Sequence, residues 1–292
     1  MRARPAAASR RGGRRRHGSS PGRRRGFGRI WAEAALERGD RVAATARDAS
    51  SLDALVEQYG DAVLPIALDV TDKGAVDTAV ARAHDHFGRL DIVVNNAGYG
   101  LFGAIEEVTE AQARAQIETN LFGALWVTKA ALPHLREQRS GHIIQVSSIG
   151  GVNAFPTLGL YHASKWGLEG FSQALAQEVA DFGIRVTIIE PAGFSTDWRG
   201  PSAVVADQMP EYQPVRDYRA ARAGDDTELF DPGDPEATGP VVLELVDAEE
   251  PPLRLFLGTG TLNMIKDEYA KRIAEWEQWD HLAVEAQGGV KA

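Results

Sequence analysis

Tyr161 and Lys165 stand four residues apart, thirteen and seventeen residues after Ser148. On a helix, positions four apart share a face, so the ammonium of Lys165 comes close to the ring and hydroxyl of Tyr161. An ammonium there favours phenolate and lowers the phenol's pKa toward neutrality. The pair then exchanges a proton with a carbonyl or alcohol oxygen. Ser148 is placed to hydrogen-bond that oxygen, and Asn120, inside a long helical pattern, to hold a water linking Lys165 to solvent. A tyrosine and a lysine on a half-exposed helix are the alternative, and the pair alone does not decide between them.

The positions of these residues depend on the elements around them. From Phe27 onward helical and strand patterns alternate: a helix Phe27 to Arg38, then the strand RVAATA, a helix near Ser51 to Tyr59, and the strand VLPIAL. A helix near Lys73 to Phe87 follows, then the strand DIVVNN and one long helix from about Thr109 to Arg136 that opens on the capping box Thr109-x-x-Gln112. The strand HIIQVS, a helix from about Tyr161 to Phe182 and the strand RVTIIE continue the rhythm. Short apolar strands separated by amphipathic helices predict a doubly wound, Rossmann-type α/β fold, a single domain with a parallel sheet covered on both faces. Ser148 then falls beyond the carboxyl end of a strand, where open α/β sheets place their ligands.

Residues 191–234, rich in Pro, Gly, Asp and aromatics, break the rhythm and read as a substrate lid. A helix (about Pro235 to Val246), the strand LRLFLG and a terminal helix (about Asn263 to Ala283) complete the domain, which spans 22–292.

The chain has 292 residues, 43% apolar and 25% charged, with no cysteine, which excludes disulfides and thiolate chemistry. No apolar run approaches the roughly 18 residues needed to span a bilayer. No metal pattern joins the seven histidines; His84 and His86 diverge on a helix, and His162, beside Tyr161, reads as structural or partly exposed. A cytoplasmic location is the expectation. Of 32 Lys and Arg, ten Arg lie in residues 1–25 with no acid, so 22 bases stand against 41 acids in the remainder, a balance of −19. The basic stretch, 1–21, reads as a disordered tail; a nucleic-acid arm or a targeting peptide is the other reading.

Further motifs join the tetrad: NNAG (Asn95 to Gly98) ends one strand, LDV (Leu68 to Val70) another, SS precedes YHASK, and Gly22-x-x-x-Gly26-x-Gly28 opens the first helix. With these residues the chain resembles the short-chain dehydrogenase/reductase family from Gly22 to the C-terminus. The resemblance implies that Tyr161 is the acid/base, Lys165 its pKa-lowering and ribose-binding partner, Ser148 the substrate-orienting hydroxyl and Asn120 the proton-relay residue. It implies a glycine loop of Gly22, Arg25, Gly26, Phe27 and Gly28 at the cofactor phosphates, Asp69 and Val70 flanking the adenine, and Asn95, Ala97 and Gly98 lining the cofactor cleft. Pro191, Gly193 and Thr196 of EPAGFST would contact the nicotinamide amide and phosphates, with Ala192 standing where the family usually has glycine. An acid at the end of the second strand would bind the ribose of NAD; that place holds Ala46, followed by Arg47, with Arg25 as a second base, which favours the 2′-phosphate of NADP(H) over NAD(H).

The stretch before Gly26 departs from the family. Members usually carry an apolar strand running into the loop, of the type TWFITGASRGFGR, whereas this chain reads HGSSPGRRRGFGR. A GC-rich string encoding the former, read one base later, spells His-Gly-Ser-Ser-Pro-Gly-Arg-Arg, matching His17 to Arg24. The reading is that the residues before Gly26 are the product of a shifted frame, so that the first strand is missing or degraded.

The function expected is hydride transfer between NADP(H) and a small-molecule carbonyl or alcohol, with Phe194, Trp198, Tyr212, Tyr218 and Phe230 read as a lipophilic pocket, core packing being the other reading of these aromatics. A homodimer or homotetramer through the apolar Tyr161 helix is expected, with no membrane partner. A cofactor-impaired binding or regulatory protein, an NAD-dependent dehydrogenase and a nucleic-acid-binding arm are the rivals.

Overall fold

The structure is a computed structural model that describes residues 26–200, 202–225 and 232–289. The basic segment 1–21, Gly22, Arg25 and the frame-shift reading lie outside these residues.

Helix α1 (Phe27–Arg38) stops where Gly39 turns left-handed at φ +99° and its N–H reaches back to Leu36 O. It is followed by β1 (Val42–Ala46), α2 (Asp53–Tyr59) and β2 (Val63–Ala67). Helix α3 (Lys73–Phe87) is capped by the Asp72 carboxylate, which accepts from Ala75 N at 3.0 Å, and it ends at Gly88. Then come β3 (Ile92–Asn95), the short β4 (Leu101–Phe102), α4 (Glu110–Ile117) with the expected capping box, and α5 (Gly123–Gln138). β5 (Gly141–Val146), α6 (Gly159–Val179), β6 (Ile184–Pro191), β7 (Val204–Val205) and α7 (Gln213–Asp225) follow, and α8 (Thr238–Asp247), β8 (Arg254–Leu257) and α9 (Thr261–Ala286) end the chain.

All pairing is parallel, as the apolar runs require. Among the described residues the sheet comes in two pieces, β1-β2 and β3-β5-β6-β8. β3 pairs only with β5 there, and β1 only with β2. Ile92 and Val94 of β3 are each 39% exposed, although strands of a doubly covered parallel sheet are usually buried on both faces. Helices hold the pieces together. α1 packs Ile30 and Trp31 on β5, β6 and α8, and Leu36 on β1 and α2. On the opposite face, one cluster joins Ala43, Leu64 and Ile66 of β1 and β2 to α3 and to Trp126 and Val127 of α5.

Two expectations are corrected. The helix read as continuous from Thr109 to Arg136 contains a π-helical segment, Glu118–Phe122, between α4 and α5. The region 191–234, read as irregular, carries β7 on β4 and the helix α7. α7 is polar nearly all round, so its apolar spacing is faint.

Candidate active site

The carboxyl end of β5 delivers Ser148. Its extended backbone (φ −172°) leads into the turn Ile149–Gly151, and its Oγ accepts from Gly150 N at 3.0 Å. Tyr161 on α6 is buried near Ser148, whose side chain acts to lower the phenol's pKa. One helical turn on, Lys165 is buried, donates from Nζ to Val146 O at 2.8 Å, and stands 5.9 Å from the centre of the Tyr161 ring. Asn120 sits in the π segment, where one extra residue per turn turns its side chain inward; such bulges recur at functional sites. Its Nδ2 donates to Tyr99 O and Ser164 Oγ, and its Oδ1 accepts from Tyr99 N. A Cβ on Gly98 would lie 3.1 Å from Asn120 Oδ1 and 3.5 Å from Lys165 Nζ, so both side chains converge on that glycine. The structure thus brings together Ser148, Tyr161, Lys165, Asn120 and Gly98.

Burial sets the electrostatics of the pair. Burial pushes the Tyr161 hydroxyl up to about 12, with Ser148 pulling the other way, and burial pulls the Lys165 ammonium down to about 8, opposed by the charge of Glu169. Desolvation is the largest cause of the shift in both groups. The hydroxyl is held protonated, the form that gives a proton to a carbonyl oxygen.

The other expected positions divide. Gly26 precedes α1 in an extended conformation with no side-chain cap; its carbonyl accepts from Arg29 N at 3.1 Å, and the N–H groups of Phe27 and Gly28 have no intrahelical acceptor. Phe27 stacks on Trp31 at 5.3 Å and meets Phe194 edge-on at 5.2 Å, so its ring belongs to the core. A Cβ on Gly28 would fall 2.7 Å from Asn96 Nδ2. Asn95 turns its amide inward to Thr128 Oγ1 at 3.0 Å, so the side chain that meets the glycine turn is the next residue, Asn96. Alternation along a strand sends neighbours to opposite faces, and the doublet carried that signal unused. Arg47 is exposed, and its charge helps hold the Asp69 carboxyl below the usual range, behind the larger effect of the Thr71 hydrogen bonds. Val70 packs against the start of α5, where a Cβ on Gly123 would strike it at 2.6 Å. Ala97 follows β3, beside Gly98.

Pro191 closes β6, and Ala192 N donates to Leu257 O at 2.8 Å. The extra methyl of Ala192 fits because Gly258, at φ +110°, lies opposite, where a Cβ would come within 2.9 Å of it. Gly193 O accepts from Gly233 N, and Thr196 caps the turn carrying Trp198. Of the five aromatics expected to form one pocket, Trp198 covers Tyr161 (rings 5.1 Å apart) and packs on Phe102; Phe194 faces Phe27. The Tyr212 hydroxyl reaches Glu106, Tyr218 is exposed, and Phe230 lies outside the described residues. His162, read as structural or partly exposed, is buried with both ring nitrogens engaged.

Residues 21–203 match the family described as short chain dehydrogenase. The chain is 42% identical to Oxidoreductase BOA17 of Botryotinia fuckeliana over 273 residues, covering 90% of this chain and 96% of that protein. It is 43% identical to the 3-ketodihydrosphingosine reductase of Bacteroides thetaiotaomicron over 171 residues, 59% of this chain and 61% of that one. A solved short-chain dehydrogenase from Streptomyces avermitilis superposes with a TM-score of 0.82 at 38% identity, covering 90% and 96% of the two chains. No helix among the described residues is long and apolar enough to cross a membrane.

Proposed function

The chain belongs to the short-chain dehydrogenase family and is an oxidoreductase; from that premise we propose that it interconverts a lipophilic ketone and its alcohol with NADP(H) as the hydride carrier. When bound, the nicotinamide supplies or takes back the hydride. The rest falls to this chain's own residues. Tyr161 gives its hydroxyl proton to the substrate oxygen on reduction, and Ser148 fixes that oxygen through its Oγ. Lys165 and Asn120, meeting at Gly98, resupply the proton. The observation that carries this reading is the convergence of Lys165 Nζ and Asn120 Oδ1 on Gly98, with the Lys165 ammonium 5.9 Å from the centre of the buried Tyr161 ring.

The residues present fit a nicotinamide dinucleotide. The uncapped N-terminus of α1 is a site for phosphate, the glycine at 28 lets the Asn96 amide come close beside it, and Arg47 stands at the end of β1 where a 2′-phosphate would lie. Asp69 and Thr71 close the adenine end. The relative named for 3-ketodihydrosphingosine carries a ketone on a lipophilic chain in its name, in keeping with Trp198 and Phe102 over Tyr161.

The test is a fluorescence titration of the full chain with NADPH and with NADH, followed by ketone-dependent loss of NADPH absorbance for the chain and for Tyr161→Phe. NADPH-selective binding retained by Tyr161→Phe, with turnover lost by roughly a hundredfold or more, is the expected result. A folded chain that binds neither nucleotide overturns the reading in favour of a binding protein.

A further inference from the structure

Glu169 and Glu190 are two acids buried behind Lys165, and the proton path described above leaves them unused. Glu169 follows Lys165 by one helical turn on α6, and Glu190 stands near the carboxyl end of β6 with its side chain fully closed to solvent. Arg254 on β8 reaches both through one atom. Its Nε donates to Glu169 Oε2 at 3.0 Å and lies 3.4 Å from Glu190 Oε1, while its Nη2 donates to Gln173 Oε1 at 2.9 Å. Among the described residues neither oxygen of Glu190 has a hydrogen-bond partner, nor does Glu169 Oε1. A Cβ on Gly151 would come 3.1 Å from that Oε1 and would strike Ser147 Oγ, so the turn after Ser148 closes the chamber from the other side.

A carboxylate buried without hydrogen bonds is costly, and such a group takes up a proton instead. Two carboxylates that share one site also repel, and one of them gives up its charge. The surroundings decide which. Glu169 holds the Arg254 hydrogen bond and feels the Lys165 ammonium, whereas Glu190 has the longer contact with Arg254 and the like charge of Glu169. Burial and that like charge push the Glu190 carboxyl up to about 8, so it carries its proton at neutral pH. Burial raises Glu169 as well, opposed by Ser147 beside it, by Arg254 and by Lys165. The charged groups that face the pair are therefore Arg254 from β8 and Lys165 from α6. On the other side of the balance, burial pulls the Lys165 ammonium down, and the charge of Glu169 opposes that fall.

We propose that Glu169 and Glu190 are a carboxylate and carboxylic acid holding one proton between them, and that the single charge left on Glu169 makes it a positioning residue that keeps Lys165 an ammonium beside Tyr161. Its effect on turnover rests on the hydride-transfer reading; the shared proton and the charge on Lys165 do not.

Infrared spectra of the full chain at neutral pH are expected to show the C=O stretch of a protonated carboxyl, fading as pH rises through about 8 and missing from Glu190→Gln. In the spectrum of the chain labelled with carbon-13 at lysine Cε, Lys165 is expected to titrate near pH 8, below the other lysines. Glu169→Gln is expected to move that titration down by about 1 pH unit or more, and the alkaline limb of ketone reduction with it. Glu169→Asp, which keeps the charge and draws it back by one methylene, is expected to recover most of the shift, and Glu190→Gln, which leaves the charge on Glu169, to keep the titration and the limb in place. A chain without the infrared band, an unmoved Lys165 in folded Glu169→Gln, or an equal downward move in Glu190→Gln each overturns the proposal. The expected band and Lys165 titrations in a chain that reduces no ketone would support the pair and count against the hydride-transfer reading alone.

Discussion

His162 and Gly150 are joined by a hydrogen bond from the ring Nδ1 to the glycine carbonyl at 2.8 Å. Phe155 N donates into the ring's Nε2 at 2.9 Å, so the proton sits on Nδ1 and the ring is neutral. Gly150 is also the residue whose N–H the Ser148 Oγ accepts, and a Cβ there would lie 2.6 Å from His162 Nδ1 and 3.2 Å from the Tyr161 ring. The imidazole therefore pins the turn that aims Ser148 at Tyr161.

Replacing His162 with Leu is expected to lower kcat roughly tenfold to a hundredfold through misplacement of Ser148, while leaving NADPH affinity unchanged. His162→Gln, whose amide can both donate and accept, is expected to recover much of the loss. A fall in nucleotide affinity with kcat intact would contradict the positioning role.

Acid sensitivity follows from a second buried imidazole. His142 on β5 lies 2.9 Å from Thr187 Oγ1, and its Nδ1 has no partner. Burial, helped by the charge of Arg185, pulls its pKa down to about 4. The unfolded chain binds this proton from about pH 6.5 downward and the folded chain only near 4. Stability is therefore complete above 6.5 and is lost progressively as pH falls to 4, by about 3 kcal/mol in all. Burial also pulls His162 down, so it adds with the same sign. Urea midpoints measured between pH 7 and pH 4 are expected to drop accordingly, and His142→Val to flatten the drop.

Glu107 ties segment 204–216 to the chain ahead of α4. Its carboxylate accepts from Ala104 N at 2.6 Å, Met209 N at 2.8 Å and Arg216 Nη1 at 2.7 Å. These bonds, the one from Met209 foremost, hold its pKa below the usual carboxylate range. Glu107→Ala leaves the Arg216 cation without its carboxylate, and is expected to lower the melting temperature and expose residues 204–225 to limited proteolysis. Since the folded pKa is depressed, the tie holds at neutral pH and loosens as acid carries the carboxyl through its folded value. Unchanged proteolysis in the variant would count against the tie.

The sheet strands were legible because each is a short apolar run closed by polar or glycine residues, and the cap of α4 because Thr109 and Gln112 make it locally. The π segment at Asn120 was not: Glu118 to Phe122 contains no glycine or proline, and the extra residue answers to contacts with Tyr99 and Ser164, 21 and 44 residues away. The meeting of Ser148, Tyr161 and Lys165 could be read because the β5-to-α6 connection is short. The Glu107 tie joins residues 109 apart, and the burial that sets the Tyr161 and Lys165 pKa values comes from the whole fold; neither leaves a local pattern. The same holds for His162, whose acceptor is fixed by the turn of Gly150.

The edges of β1 and β3 that no strand pairs among the described residues lead to the last prediction. Both are parallel strands in the middle of the α/β layer, held together by α1 on one face and α3 and α5 on the other, yet Ile92 and Val94 remain open to solvent. Each buried, unpaired backbone group costs about 1–3 kcal/mol, and one apolar strand leading into Gly26 would pair with both edges. A chain in which the residues before Gly26 are replaced by an apolar stretch of the TWFITGASR type is expected to unfold at higher urea and to bind NADPH more tightly, because that strand also aims the start of α1 at the phosphates. Parallel denaturation and titration of the two chains test this directly. Equal midpoints and equal affinities would mean that the two pieces of the sheet need no strand between them.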